Sequence, residues 1–294
     1  MYRIAILGSE NSHATRFSTI FHGLEPACKT KYPDFKVIGS YSAYEGEAQK
    51  LVDNCGVEIA ADSPYDFLGK VDAIMVTARD GKFHAEYARP YIEAGIPAFI
   101  DKPFTNDNEE ALALARLAKS KGVPLVGGSS LKLAYDVQML RHAREYDIKN
   151  VIGGFVASPV NMENIYGGFY FYASHLVEIS MSVFGCDPKS IRAIRTRGGV
   201  IAIAHYDTFD VINQFNDGNY EYSVTITGKE TTMTRDIFRS LNYQLETAAF
   251  VEMLRTGKMS HTYEELIAPV YYMNAIKESY ENGGKEVELS FPEV

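Results

Sequence analysis

The chain has 294 residues, 46% of them hydrophobic and 23% charged, and a net charge of -9. That length exceeds one ordinary core and predicts two domains of a soluble protein. The acidic balance argues against a nucleic-acid surface, which needs a basic patch, and no apolar run approaches a membrane span.

In chain order, the first half alternates short apolar runs with helix-length amphipathic ones. Arg3–Leu7 is a buried strand ending at Gly8, and residues 12–24 have helical spacing, with Phe17, Ile20, Phe21 and Leu24 on one side. A second strand, 35–40, precedes a helix over 45–55. A third strand, 71–77, is followed by a helix over 84–94 that closes at Gly95. A strand at 98–100, a helix at 109–121 and a strand at 124–126 complete the series. Five strands alternating with helices predict a doubly wound, parallel, Rossmann-type sheet over residues 1–125.

The pattern changes near Gly127-Gly128. Residues 131–146 read as one long helix, and 150–158, 190–197, 200–205, 208–215 and 219–227 read as strands separated by turn pairs such as Asp217-Gly218. Helices follow at 175–184, 244–255 and 263–282. Residues 126–294 are therefore expected to form an α+β domain on a large, mainly antiparallel open sheet. The strand pattern begins almost at residue 1, with no leader-like segment. Cys28, Cys55 and Cys186 are scattered in no metal-like spacing and read as buried thiols in a reducing cytoplasm.

The loop after the first strand reads Gly8-Ser-Glu-Asn-Ser-His13. A dinucleotide loop would have glycine at three positions so that the backbone can approach a pyrophosphate. Here Gly8 is followed by Glu10 and His13 at the other two. Ser9, Asn11 and Ser12 can cap the helix, and its free N–H groups favour an anion. At the end of the second strand Ser42 permits either NAD or NADP, because neither a carboxylate nor an arginine stands there. Phe99-Ile-Asp-Lys-Pro-Phe-Thr105 places Lys102 where such sheets bind ligands, with Pro103 turning the chain out of the strand. His84, His175 and His205 lack short-range metal spacing, so a zinc centre is not expected.

With these residues together, the sequence resembles the Gfo/Idh/MocA oxidoreductases. Val71–Thr77 with His84, Glu93–Pro103, Gly167-Gly168 with His175 and Phe184-Gly185, then Gly257 and Ser279–Val287, fall in that family's order. The resemblance implies hydride transfer between a nicotinamide and a hydroxyl carbon of a sugar, polyol or related molecule. It implies a cofactor held by Gly8 to His13, Ser42, Thr77, His84, Asp101, Lys102 and Pro103. It implies Lys102 as anchor of the reacting oxygen, a Lys102–Pro103 bond able to be cis, and homodimers or homotetramers built on the C-terminal sheet. The family's catalytic aspartate falls on Phe171, which cannot orient His175. His175 is then the expected acid/base and Tyr172 its helper, with Tyr170 another nearby phenol, while Phe169 and Phe171 read as core. Tyr166–Tyr172 would line the substrate cleft. The incomplete glycine loop and the missing aspartate keep a rival in view, a non-catalytic ligand or cofactor sensor.

Overall fold

The computed structural model describes every residue except Thr30. Its elements run β1 (Tyr2–Leu7), α1 (Ser12–Phe21), β2 (Phe35–Tyr41), α2 (Glu47–Cys55), β3 (Ile59–Ala61), β4 (Ala73–Val76), α3 (His84–Glu93), β5 (Ala98–Asp101), α4 (Asn108–Lys121) and β6 (Leu125–Gly128). There follow α5 (Tyr135–His142), β7 (Val151–Val160), α6 (Phe169–Phe184), β8 (Ser190–Thr196), β9 (Gly199–His205), β10 (Asp210–Asp217), β11 (Ser223–Gly228) and β12 (Thr232–Asp236). The chain closes with α7 (Asn242–Thr256), α8 (Tyr263–Glu281) and β13 (Val287–Glu288).

The first sheet is parallel, in the order β3-β2-β1-β4-β5-β6. Its central strands are buried on both faces, the expectation for helices on either side. The second sheet runs β12-β11-β7-β10-β9-β8-β13. It is antiparallel except at β7–β10. One face is covered by α6 and α8.

Local chemistry explains where the elements depart from the sequence pattern. Helix α1 stops at Phe21 because His22 turns inward, accepting the Val37 N–H at Nε2 (3.1 Å) and meeting the Cys55 carbonyl at Nδ1 (2.6 Å). The helix expected over 131–146 is broken. Ser129 caps a 3₁₀ turn (Ser130–Leu133), Ala134 leaves helical geometry, and α5 follows. Helix α6 starts six residues earlier than the pattern gave, directly after Gly168. The short strand β3 and the exposed edge strand β12 were not anticipated, and β11 starts only at Ser223.

Helices from the second half complete the core of the first. On α7, Phe250 meets Phe99 edge-on at 6.2 Å and Phe21 at 6.3 Å, with Val251 and Met253 in the same cluster as Ile4, Phe17 and Phe99. On α8, Leu266, Ile267 and Val270 pack with Ile74, Ile100 and Leu114. Phe250→Ala should therefore destabilise the whole chain by about 3–5 kcal/mol. Chemical denaturation checks this, and a loss confined to the second half would contradict a shared core.

Candidate active site

The carboxyl ends of β1 and β4 lie where the strand order reverses, the place where open parallel sheets form a ligand crevice. Gly8 has φ +94, and a Cβ there would lie 2.2 Å from the Ala78 nitrogen, so only glycine makes this turn. Thr77, fully buried, donates to the Gly8 carbonyl (2.9 Å), and Ser9 donates to the Tyr41 carbonyl. Glu10 reaches across the loop. Its Oε2 accepts from Ser42 Oγ (2.8 Å), and its Oε1 accepts the Arg79 N–H (3.0 Å). Asn11 caps α1 by accepting the His13 N–H, while Ser12 is exposed. The first free N–H groups of α1 belong to the same crevice.

The next wall is the end of β5. Asp101 has no exposed surface, yet it accepts from the Lys102 N–H (2.7 Å) and Asn11 Nδ2 (3.3 Å) and lies 2.6 Å from His13 Nδ1. Burial alone would raise its carboxyl, but the charge and hydrogen bond of His13, with Lys102 behind them, draw it down to about 2. The Lys102–Pro103 bond is cis. Lys102 is buried, and its Nζ lies 3.4 Å from the Phe171 carbonyl and 4.4 Å from the centre of the Phe171 ring. Burial lowers its ammonium pKa, against the pull of Asp101. His84 is wholly buried behind these turns, bonded through Nε2 to the Ala78 carbonyl (2.8 Å) and close to the charges of Asp101 and Lys102, so it braces the loop.

Helix α6 supplies the third wall. His175 Nδ1 lies 2.6 Å from Ser129 Oγ, and burial, then Lys102 and His13, hold the imidazole well below its ordinary pKa. One turn on, Glu178 accepts the Ser129 N–H (2.7 Å) and pairs with Lys132 (2.8 Å), both buried. A Cβ on Gly128 would lie 2.3 Å from Glu178 Oε2 and 2.6 Å from Lys132 Nζ, so this pair needs a glycine beside it. Tyr172 stands 6.4 Å from the His175 ring, centre to centre. Tyr170 turns away and donates to Asn274 Oδ1 (2.5 Å). Phe169 packs in the core against Phe215, as expected; Phe171 does not. It is half-buried, lying over Lys102 and beside Tyr166 and Tyr172. His205 pairs with Asp210 on the second sheet, outside this crevice.

Two residues of this neighbourhood had no signal in the sequence. Ser129 follows two glycines and looks like a turn residue. Glu246 sits on α7 in an unremarkable helical pattern, yet it is buried with neither carboxylate oxygen partnered. Burial, then the charges of Asp101 and Glu178, raise its pKa well above the usual 4.5. Between the unfolded and folded values the folded state holds an extra proton, so stability falls as pH rises through that window. Glu246→Gln should remove this fall and gain on the parent by up to about 1.4 kcal/mol per pH unit above 4.5. Denaturant unfolding over a pH series tests it, and parallel curves for the two proteins would refute it.

Residues 2–129 match the family model described as "Oxidoreductase family, NAD-binding Rossmann fold". A stretch of 140 residues is 26% identical to the UDP-N-acetylglucosamine 3-dehydrogenase of Acidithiobacillus ferrooxidans. It covers 46% of this chain and 42% of that protein, so the match spans less than half of the relative's length. Among solved structures, GenD2 from gentamicin A biosynthesis in complex with NAD superposes with a TM-score of 0.84 at 15% identity, over 98% of this chain and 96% of its own. The scyllo-inositol dehydrogenase of Lactobacillus casei with bound NAD(H) and scyllo-inositol gives 0.82 at 15% identity, over 98% and 99%. At that identity the likeness is one of fold. Among the described residues no helix is long and apolar enough to cross a membrane, and no group of three or more His, Cys, Asp or Glu is placed to hold a metal. The resemblance read from the sequence is borne out, residues 2–129 matching the NAD-binding Rossmann domain of the Gfo/Idh/MocA oxidoreductases within a chain that has the fold of these structural neighbours.

Proposed function

We propose that the chain is an NAD(P)-dependent oxidoreductase acting on a hydroxyl carbon of a sugar, polyol or related small molecule. Residues 1–125 carry the cofactor in this reading, and residues 126–294 form the substrate wall. The observation that carries it is a buried lysine just after β5 laid against Phe171 of α6, one turn before His175, beside a glycine turn at the reversal point of a parallel sheet. The Gly8 turn fits a dinucleotide backbone, because it leaves no side chain between the loop and Ala78. When bound, a nicotinamide accepts or returns a hydride. Lys102 then holds the reacting oxygen, His175 stands beside it, and Tyr172 borders the cleft. Tyr44, Arg79, Tyr166 and Phe171 form a contiguous aromatic and cationic wall suited to a sugar face.

Glu10 supports NAD over NADP. The sequence leaves the end of β2 without a carboxylate, and Glu10 brings one to Ser42 from the neighbouring loop. A carboxylate there accepts ribose hydroxyls and repels a 2′-phosphate. Titration followed by nicotinamide fluorescence should give NADH at least about tenfold tighter binding than NADPH, with the gap narrowed in Glu10→Gln. Lys102→Ala should keep cofactor binding and lose turnover by about a hundredfold or more. Folded protein that binds no nicotinamide, oxidised or reduced, would refute the proposal and favour the ligand sensor.

The outer face of the second sheet supports a homo-oligomer. Register places Phe155, Ile212 and Ile203 in one row and Ile201 and Ile194 in the next. Ile194 and Ile212 are exposed, part of an apolar surface that a second copy of the sheet would cover. Ile212→Glu should then shift the protein to monomer in light scattering, and an unchanged mass would exclude this face. Cys28, Cys55 and Cys186 are unpaired, which supports a cytoplasmic setting.

A further inference from the structure

The partner of His175 is a hydroxyl whose position is fixed on every side. Ser129 is fully buried. Its N–H is held by Glu178, itself locked to Lys132, and its Oγ accepts the Leu131 N–H at 3.2 Å as the cap of the 3₁₀ turn. A hydroxyl has one hydrogen to give. Among the described residues, the remaining partner of this hydroxyl is His175 Nδ1 at 2.6 Å. A proton on Nδ1 would reverse the contact and leave the hydroxyl hydrogen buried with no acceptor, an arrangement folded proteins avoid. No carboxylate reaches Nδ1 to favour a proton there, since Phe171 holds the position one turn before.

We infer that Ser129 fixes His175 as the neutral Nε2–H tautomer, a hydrogen-bond donor to the reacting oxygen, and that Lys102 exchanges the proton of the reaction. The inference rests on the oxidoreductase reading above and deepens it. In the oxidation direction, neutral Lys102 Nζ takes the hydroxyl proton. The carbinol C–H bond breaks, its electron pair leaving with the hydrogen as hydride to the nicotinamide. The C–O bond becomes C=O and Nζ becomes ammonium. In reduction the ammonium returns that proton to the oxygen as hydride arrives at carbon. His175 keeps its proton in both directions, and its Nε2–H stabilises charge on the oxygen.

The surroundings fit these roles. Lys102, His13 and Arg239 face His175 with Asp101 the opposing charge, so a second proton on the ring is disfavoured. Around Lys102, Asp101, Glu246 and Glu178 oppose Arg79, while burial favours the neutral amine. At the Phe171 position a carboxylate would clamp the ammonium. The ring and carbonyl of Phe171 hold it more weakly and leave it free to titrate.

Two measurements on the full chain test this. Long-range ¹H–¹⁵N correlation spectra, with His175 assigned against His175→Gln, should show Nδ1 unprotonated and Nε2 protonated at neutral pH. Ser129→Thr should keep that pattern, and Ser129→Ala, its fold verified by thermal unfolding, should lose it. An Nδ1–H ring or an imidazolium in the parent overturns the assignment of Ser129. That readout needs neither cofactor nor turnover, so it stands apart from the titration that tests the oxidoreductase reading. Lys102→Arg, a cation that cannot trade its proton, should bind NADH and lose about a hundredfold or more in kcat. Near-parental turnover would overturn the role of Lys102.

Discussion

Asp101 ends β5 out of reach of water, and an ion there is tolerable only because several donors converge on it. Burying a lone carboxylate costs several kcal/mol, and the structure meets that cost with Asn11, His13, a backbone N–H and the charge of Lys102. The consequence is geometric. Two of those donors come from the start of α1 and two from the residue after Asp101, so the carboxylate ties the first loop of the sheet to the lysine-proline turn. In this chain His13 and Asn11 stand in that loop as partners of Asp101. The departure from a glycine-rich pattern and the aspartate before the lysine are two halves of one contact.

A second layer of charge is arranged differently. Glu178 and Lys132 satisfy one another and hold Ser129, giving α6 a rigid link to the end of β6. Glu246 comes close to the same charges without a partner. One acid is paired and structural, while burial and neighbouring charges raise the pKa of the other. Such a contrast between adjacent carboxyl groups marks a site whose electrostatics are shaped by burial as much as by pairing.

Strand and helix periodicity made the first sheet legible from residue 3 to residue 126, because strands buried on both faces read as unbroken apolar runs. Lys102 and His175 were legible through short motifs. What escaped were contacts made across long sequence separations. Ser129 meets a side chain 46 residues away, and Glu10 meets one 32 away, neither with a local pattern to announce it. Phe171 was misread as core for the same reason, since periodicity places it on a helix face but cannot say that a lysine lies beneath it. The helix over residues 131–146 was overextended because hydrophobic spacing cannot see the serine cap that starts the 3₁₀ turn. Edge strands β3 and β12 are short and exposed, so they carry almost no apolar signal.

The packing of α7 on the first sheet has a consequence for how the crevice opens. Phe250 is wedged between Phe21 and Phe99, and Tyr243 of the same helix stands edge-on to His13 at 5.0 Å. The chain therefore crosses from the first sheet to the second and comes back again. A clamshell motion of two lobes would have to pull aromatic rings out of a dry interior, whereas the loops that carry Glu10, Arg79 and Tyr166 are held by a few polar and stacking contacts. The two sheets and α7 are thus one packed frame, with the Glu10, Arg79 and Tyr166 loops along the rim of the site.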